Sequence, residues 1–187
     1  MTTPPATRLG GFTLPVGDGL DLVLAEPRLA APLHSLLLAN LEHLQPWDEL
    51  ARPDLTLEEF RGVQVRACQA WVEGRGVPCV LRLDGRVVGA LGSRTVADGT
   101  TAELGFWVDA AHQGRGLVSR SVRALVRHLA VDHGIRTVEM RIAAGNVRSR
   151  AVADRLGFAL VQTVPGVLTI DGRPHDLCVH RRPALGD

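Results

Sequence analysis

The sequence predicts a single α/β (α+β) domain with a mixed central sheet flanked by helices. Three observations lead there. The apolar pattern alternates between the two-residue period of strands and the 3.6-residue period of helices, in the order βααβββαβαββ. The 187 residues, 45% of them hydrophobic and 22% charged, suffice for a real core, and no Pro/Gly/Ser-rich stretch reads as a linker. Turn signals at Asp84-Gly85, Asp98-Gly99 and Asp171-Gly172 separate apolar runs. The domain is expected to fill residues 1–187, with its core at about 12–183.

Gly19–Ala25 alternates and reads as a strand. Pro27 opens a helical stretch reaching Leu44, with Leu29, Leu33, Leu36, Leu37, Leu41 and Leu44 on one face. A second helix, Leu55–Val72, begins at the N-cap Thr56, whose capping box is completed by Glu59. Residues 78–96 then form a hairpin about Asp84-Gly85, and a further strand follows at Ala102–Val108. Gly114–His133 is predicted as a long helix that buries Val118, Val122, Leu125, Val126 and Leu129, turns Arg120, Arg123 and Arg127 outward, and stops at Gly134. Thr137–Ala143 is a strand. Asn146 caps a short helix that ends at Leu156 and is terminated by Gly157. Phe158–Ile170 and Arg173–His180 complete the pattern as two strands.

Composition excludes several classes. The chain has no lysine and no tyrosine, so it has no Walker A lysine, no Schiff-base lysine and no kinase-type phosphate lysine. Cys68, Cys79 and Cys178 fit no metal or disulfide spacing and read as small core residues, so no metal site is expected. The apolar runs are too short to span a bilayer, and residues 1–11 lack a charged segment followed by an apolar one. A cytoplasmic protein with no membrane partner is expected. The net charge is +1, yet residues 113–155 hold 9 Arg against 3 acidic residues. A basic segment in a near-neutral chain suggests a local anionic ligand rather than a nucleic-acid footprint.

The segment His112–Val118, reading HQGRGLV, stands between a strand and an amphipathic helix. Glycines there let the backbone approach a ligand, and the free amides and dipole of a helix start attract phosphate. A dinucleotide fold does not fit, although Gly114, Gly116 and Ser119 approximate GxGxxG. Asp109–Gln113 is too long for that tight turn, and Glu139 falls in mid-strand rather than at the strand's carboxyl end.

Segment 103–158 resembles the GNAT acyltransferases, and among them the RimJ/RimL-type N-acetyltransferases. The similar features are the loop from Gln113 to Val118, Asn-x-x-Ser at Asn146–Ser149, and Leu-Gly-Phe at Leu156–Phe158. Val118 departs from the Gly or Ala that the loop pattern prefers. The resemblance implies a GNAT-like, mostly antiparallel sheet, with acetyl-CoA as donor and a primary amine as acceptor. The favoured acceptor is a protein or peptide α-amine; a small-molecule amine enzyme and a non-catalytic acetyl-CoA-binding module are the alternatives. A homodimer is compatible with these features.

Donor-binding residues are expected at Gln113, Gly114, Arg115, Gly116, Leu117, Val118 and Arg120, with Asn146 on the pantetheine amide. In the family a backbone N–H at a bulge meets the thioester carbonyl, here around Phe106, Trp107 and Val108. Amine attack on a thioester also needs a proton for the departing thiolate and a base for the amine. Many GNAT enzymes use a tyrosine as the acid, which this chain lacks, and the family's serine position makes Ser149 the candidate. Glu103 is the candidate base, with His112, His175 and Asp176 as rivals.

Overall fold

The computed structural model describes residues 11–96, 98–170 and 172–185. Eight strands among them form one sheet: β1 (Thr13–Gly17), β2 (Leu20–Leu24), β3 (Gly76–Leu83), β4 (Arg86–Thr95), β5 (Thr101–Val108), β6 (Thr137–Ala143), β7 (Ala159–Ile170) and β8 (Arg173–Pro183). Their order is β1-β2-β3-β4-β5-β6-β8-β7. All neighbours are antiparallel except β5 and β6. That parallel pair requires a crossover, supplied by the helix α4 (Leu117–His133).

Helices cover both faces, and the alternation of apolar residues along the inner strands feeds both. Leu22, Leu81, Leu91, Val138 and Met140 pack towards α4 and α5 (Val147–Arg155). Val23 and Val80 pack on the opposite face against α1 (Ala30–Leu38), α2 (Leu41–Leu44) and α3 (Leu57–Val72). The five apolar positions predicted on α4 are each no more than 8% exposed, so its amphipathic stripe is the seam of the larger core. The capping box of Thr56 and Glu59 is present at the start of α3.

The hairpin turn at Asp84-Gly85 has φ of 48° and 79°, the left-handed pair that joins two strands by two residues. Asp171 lies outside the described residues, with β7 and β8 paired from Ile170 and Arg173 outward.

Three expectations are corrected. The chain begins its sheet with β1, which the sequence analysis did not assign. This edge strand contains Pro15, tolerable there because one side of an edge strand carries no ladder bonds. The helix expected from Pro27 to Leu44 is divided into a 3₁₀ turn, α1 and α2. Asn40 sits at the break with 5% exposure, donating from Nδ2 to the Leu36 carbonyl and accepting the Ala110 N–H at Oδ1. A buried amide satisfied across the fold outweighs the local preference of the leucine-rich run. Finally, the helix expected from Gly114 begins at Leu117, because Gly114 and Gly116 hold φ near +70° and cannot continue a right-handed turn.

Candidate active site

Strands β5 and β6 pair only from Thr101/Thr137 to Leu104/Met140. Beyond that point they part. A cleft of about 1140 Å³ opens between the end of β5, the loop into α4, the end of β6 and the start of α5. The register of β5 against β4 stays regular from Ala102 to Val108, so the strand has no register-shifting bulge on that side. The strand edge is exposed by the departure of β6 instead. Val108 offers its carbonyl to His43 Nε2 at 3.3 Å, away from β4. Peptide groups alternate in direction along a strand, so the N–H groups of Phe106 and Val108 face the gap.

One lip of the cleft is the α4 N-terminus. Gln113, Gly114, Gly116, Leu117, Val118 and Ser119 line it, and an added Cβ at Gly114 or Gly116 would meet nothing within 4 Å. These two glycines are therefore required for backbone conformation and leave an open approach to the first-turn amides. Val118 turns its side chain into the core, so its bulk lies beneath the loop and its amide remains at the helix start. Arg148 on α5 donates to Gln113 Oε1 at 3.1 Å and ties the two lips together. Arg115 is exposed, and Arg120 pairs with Asp18 of the β1–β2 turn at 2.6 Å; neither lines the cleft.

The other lip begins at α5. Asn146 accepts the Ser149 N–H at its Oδ1, which leaves its Nδ2 without a partner among the described residues. Ser149 lines the cleft half-buried. The structure thus brings together Phe106, Trp107, Val108, Gln113, Gly114, Gly116, Leu117, Val118, Asn146 and Ser149.

Glu103 is not brought there. It lies in the paired half of β5, before the strands part, and its carboxylate accepts a 2.7 Å bond from Arg94. Its neighbour Glu139 is bound in turn by Arg181, so the two adjacent carboxylates are flanked by an arginine on each outer side in the row Arg94, Glu103, Glu139, Arg181. Glu103 thus sits in an ion pair within the sheet. Of its rivals, His112 lines the cleft but bonds Asp109 at 3.0 Å. Burial raises the Asp109 carboxyl, yet hydrogen bonds from His112 and the Ala111 N–H hold it below its ordinary value. Asp176 accepts the Gly166 N–H, and His175 meets the edge of Trp47 with ring centroids 6.2 Å apart.

A further group joins them. Glu42, His43, Trp47 and Asp48, on α2 and the turn after it, also line the cleft. His43 reaches the end of β5, while the Trp47 ring packs against Gly145 in the β6–α5 loop. This segment therefore bridges the parted strands. Burial raises the Asp48 carboxyl above its ordinary value, against the lowering effect of the Leu50 N–H that it accepts. The leucine run preceding it reads as core, and no spacing in the sequence singles out Trp47 or Asp48. Among the described residues no group of three His, Cys, Asp or Glu side chains is placed to hold a metal, and no helix is long and apolar enough to cross a membrane. Cys79 and Cys178 are buried as expected of core residues, whereas Cys68 is half-buried. Burial pushes the Cys79 thiol up to about 12.

A mixed sheet parted at its one parallel pair, with a glycine-rich helix start on one lip, defines the architecture of an acyl-CoA-dependent transferase. The profile of the Acetyltransferase (GNAT) domain matches residues 21–159, and the chain belongs to that family. It is 26% identical over 168 residues to the putative ribosomal N-acetyltransferase YdaF of Bacillus subtilis, covering 89% of this chain and 92% of the relative. The ribosomal-protein-serine acetyltransferase of Escherichia coli is 26% identical over 152 residues, covering 79% and 83%. Among solved structures, RimL, a ribosomal L7/L12 α-N-protein acetyltransferase in complex with coenzyme A, superposes with a TM-score of 0.87 at 26% identity, covering 92% of this chain and 98% of that one.

Proposed function

We propose that this chain transfers the acetyl group of acetyl-CoA to the α-amine of a protein or peptide, by direct attack within a ternary complex. The observation that carries this reading is the cleft at the parting of β5 and β6, with a helix start on one lip and Ser149 on the other. The first-turn amides of α4 suit the donor's pyrophosphate, since they are unsatisfied by the helix and lie at the positive end of its dipole. Arg115 and Arg120 contribute positive charge outside the cleft, and Arg148 within it. The free Nδ2 of Asn146 suits a pantetheine carbonyl, and the exposed N–H groups of Phe106 and Val108 suit the thioester oxygen as charge develops on it.

The amine nitrogen attacks the thioester carbon, a C–N bond forms and the C–S bond breaks. The departing thiolate takes the hydroxyl proton of Ser149, which in turn recovers a proton from the newly acylated nitrogen. Acetyl-CoA is consumed as a substrate, and no step requires a metal. An α-amine, with an ordinary pKa of about 7.7–8.0 against about 10.4 for lysine, keeps a usable neutral fraction near neutral pH. That RimL is an α-N-protein acetyltransferase and the Escherichia coli relative a ribosomal-protein-serine acetyltransferase supports the same acceptor class. The three free cysteines fit a cytoplasmic setting.

The test is release of free thiol from acetyl-CoA with and without amines. Release that depends on a peptide with a free N-terminus supports the reading. Release only with small amines would assign a small-molecule enzyme, and none with any amine would leave a binding module.

A further inference from the structure

The carboxylates around the cleft differ in how far their charge is already answered. Glu103 and Glu139 are held by Arg94 and Arg181. Asp109 is bonded by His112 and the Ala111 N–H. Glu42 is open to solvent. Asp48 is different: it is half-buried and lines the cleft, its Oδ1 accepts the Leu50 N–H at 2.9 Å, and its Oδ2 has no hydrogen-bond partner among the described residues. No arginine or histidine among the described residues pairs with it, and the charge that acts on it is the like charge of Glu49. An ionised carboxylate drawn out of water without a cation is costly unless a cation arrives.

Its position is fixed from both sides. The amides of Trp47 and Asp48 both bond the Leu44 carbonyl, at 2.8 and 3.0 Å. Leu44 belongs to α2, which is moored to the end of β5 through His43 and, one residue ahead of the helix, through Asn40. Beside Asp48, Trp47 rests on the loop that leads into Ser149's helix. The unanswered carboxylate therefore stands on the bridge across the parted strands, where the thioester end of the donor and the acceptor must meet.

The geometry points to Asp48 as the group that receives the acceptor's ammonium and takes its first proton. This rests on the α-amine reading above. The acceptor enters as R–NH₃⁺ and pairs with Asp48. One proton passes to the carboxylate, and the neutral nitrogen attacks the thioester carbon. Its second proton leaves with the exchange at Ser149. Asp48 then releases its proton to solvent, so each turnover yields one amide, one free thiol and one proton.

Asp48→Asn tests this directly, since the Asn side-chain oxygen can still accept the Leu50 N–H while the charge is lost. Three readouts apply to the full chain: CoA affinity, kcat/KM for a free-amine peptide, and binding in the presence of CoA of that peptide against its deaminated analogue. The wild type should bind the amine form more tightly. Asp48→Asn should keep its CoA affinity, lose that preference and lower kcat/KM about 10²-fold, with partial recovery in Asp48→Glu. Unchanged kcat/KM and an unchanged preference for the amine form overturn the role of Asp48 while leaving the α-amine reading intact. Loss of CoA affinity together with transfer overturns it in favour of a structural role. A wild type that acetylates no free-amine peptide overturns the α-amine reading, and the role of Asp48 with it.

Discussion

The two walls of the cleft are made of different material. On the donor wall, from Phe106 to Ser119, the surface presented to a ligand is largely backbone: a strand edge left bare when β6 departs, two glycines at φ near +70°, and the first turn of α4. On the opposite wall, from Glu42 to Asp48, it is side chains carried on a four-residue helix and the turn after it, held in place by Asn40 and His43. A backbone surface suits a ligand that is always the same, because amides and dipoles are set by the fold. A side-chain surface can be altered residue by residue without disturbing the sheet, which suits selection of an acceptor.

Four substitutions or perturbations bear on that contrast. Gly116→Asp strikes the donor wall where a side chain is strained and a carboxylate would face the pyrophosphate. Like charges juxtaposed in a binding site cost several kcal/mol, so CoA affinity measured by calorimetry should fall about 10³-fold. Ser149→Ala should lower kcat about 10²-fold with acetyl-CoA affinity retained, read from steady-state kinetics beside calorimetry.

Thr56→Ala removes the N-cap of α3, away from both walls. It should cost about 1 kcal/mol and lower Tm by roughly 2–4 °C, seen in a thermal melt, with CoA affinity unchanged. The smallest effect near neutrality concerns His180, 1% exposed and without a hydrogen-bond partner for either ring nitrogen among the described residues. Burial lowers its pKa from 6.5, with Arg150 acting in the same direction and Asp154 against it. The unfolded chain therefore binds the proton first, and stability is lost as pH falls below the ordinary histidine value. Urea midpoints should drop between about pH 7 and about pH 5.5, and His180→Leu should flatten that slope.

The same contrast governs what was legible in the sequence. Asp84-Gly85, the apolar stripe of α4, and Gln113–Val118 with Asn146–Ser149 are local patterns, and each announces its conformation through φ preference, periodicity or capping. They outline most of the wall proposed to hold the donor. The break at Asn40 was hidden because its cause lies 70 residues away in the Ala110 amide. Asp48 was hidden because its distinction is the absence of a cation around it, which only the folded arrangement defines. Glu103 misled for the opposite reason: a lone strand carboxylate looks available until Arg94 on the next strand is seen to hold it.

The two walls are proposed to converge on an α-amine. The most direct measurement uses two peptides of one sequence, one with a free N-terminus and no lysine, the other blocked at its N-terminus and carrying a lysine. With acetyl-CoA at the same concentration, thiol release and product mass should show the free-terminus peptide acetylated much faster, at its terminal nitrogen. Equal or faster acetylation of the blocked, lysine-bearing peptide, or turnover confined to polyamines, aminoglycosides or free amino acids, would contradict the claim.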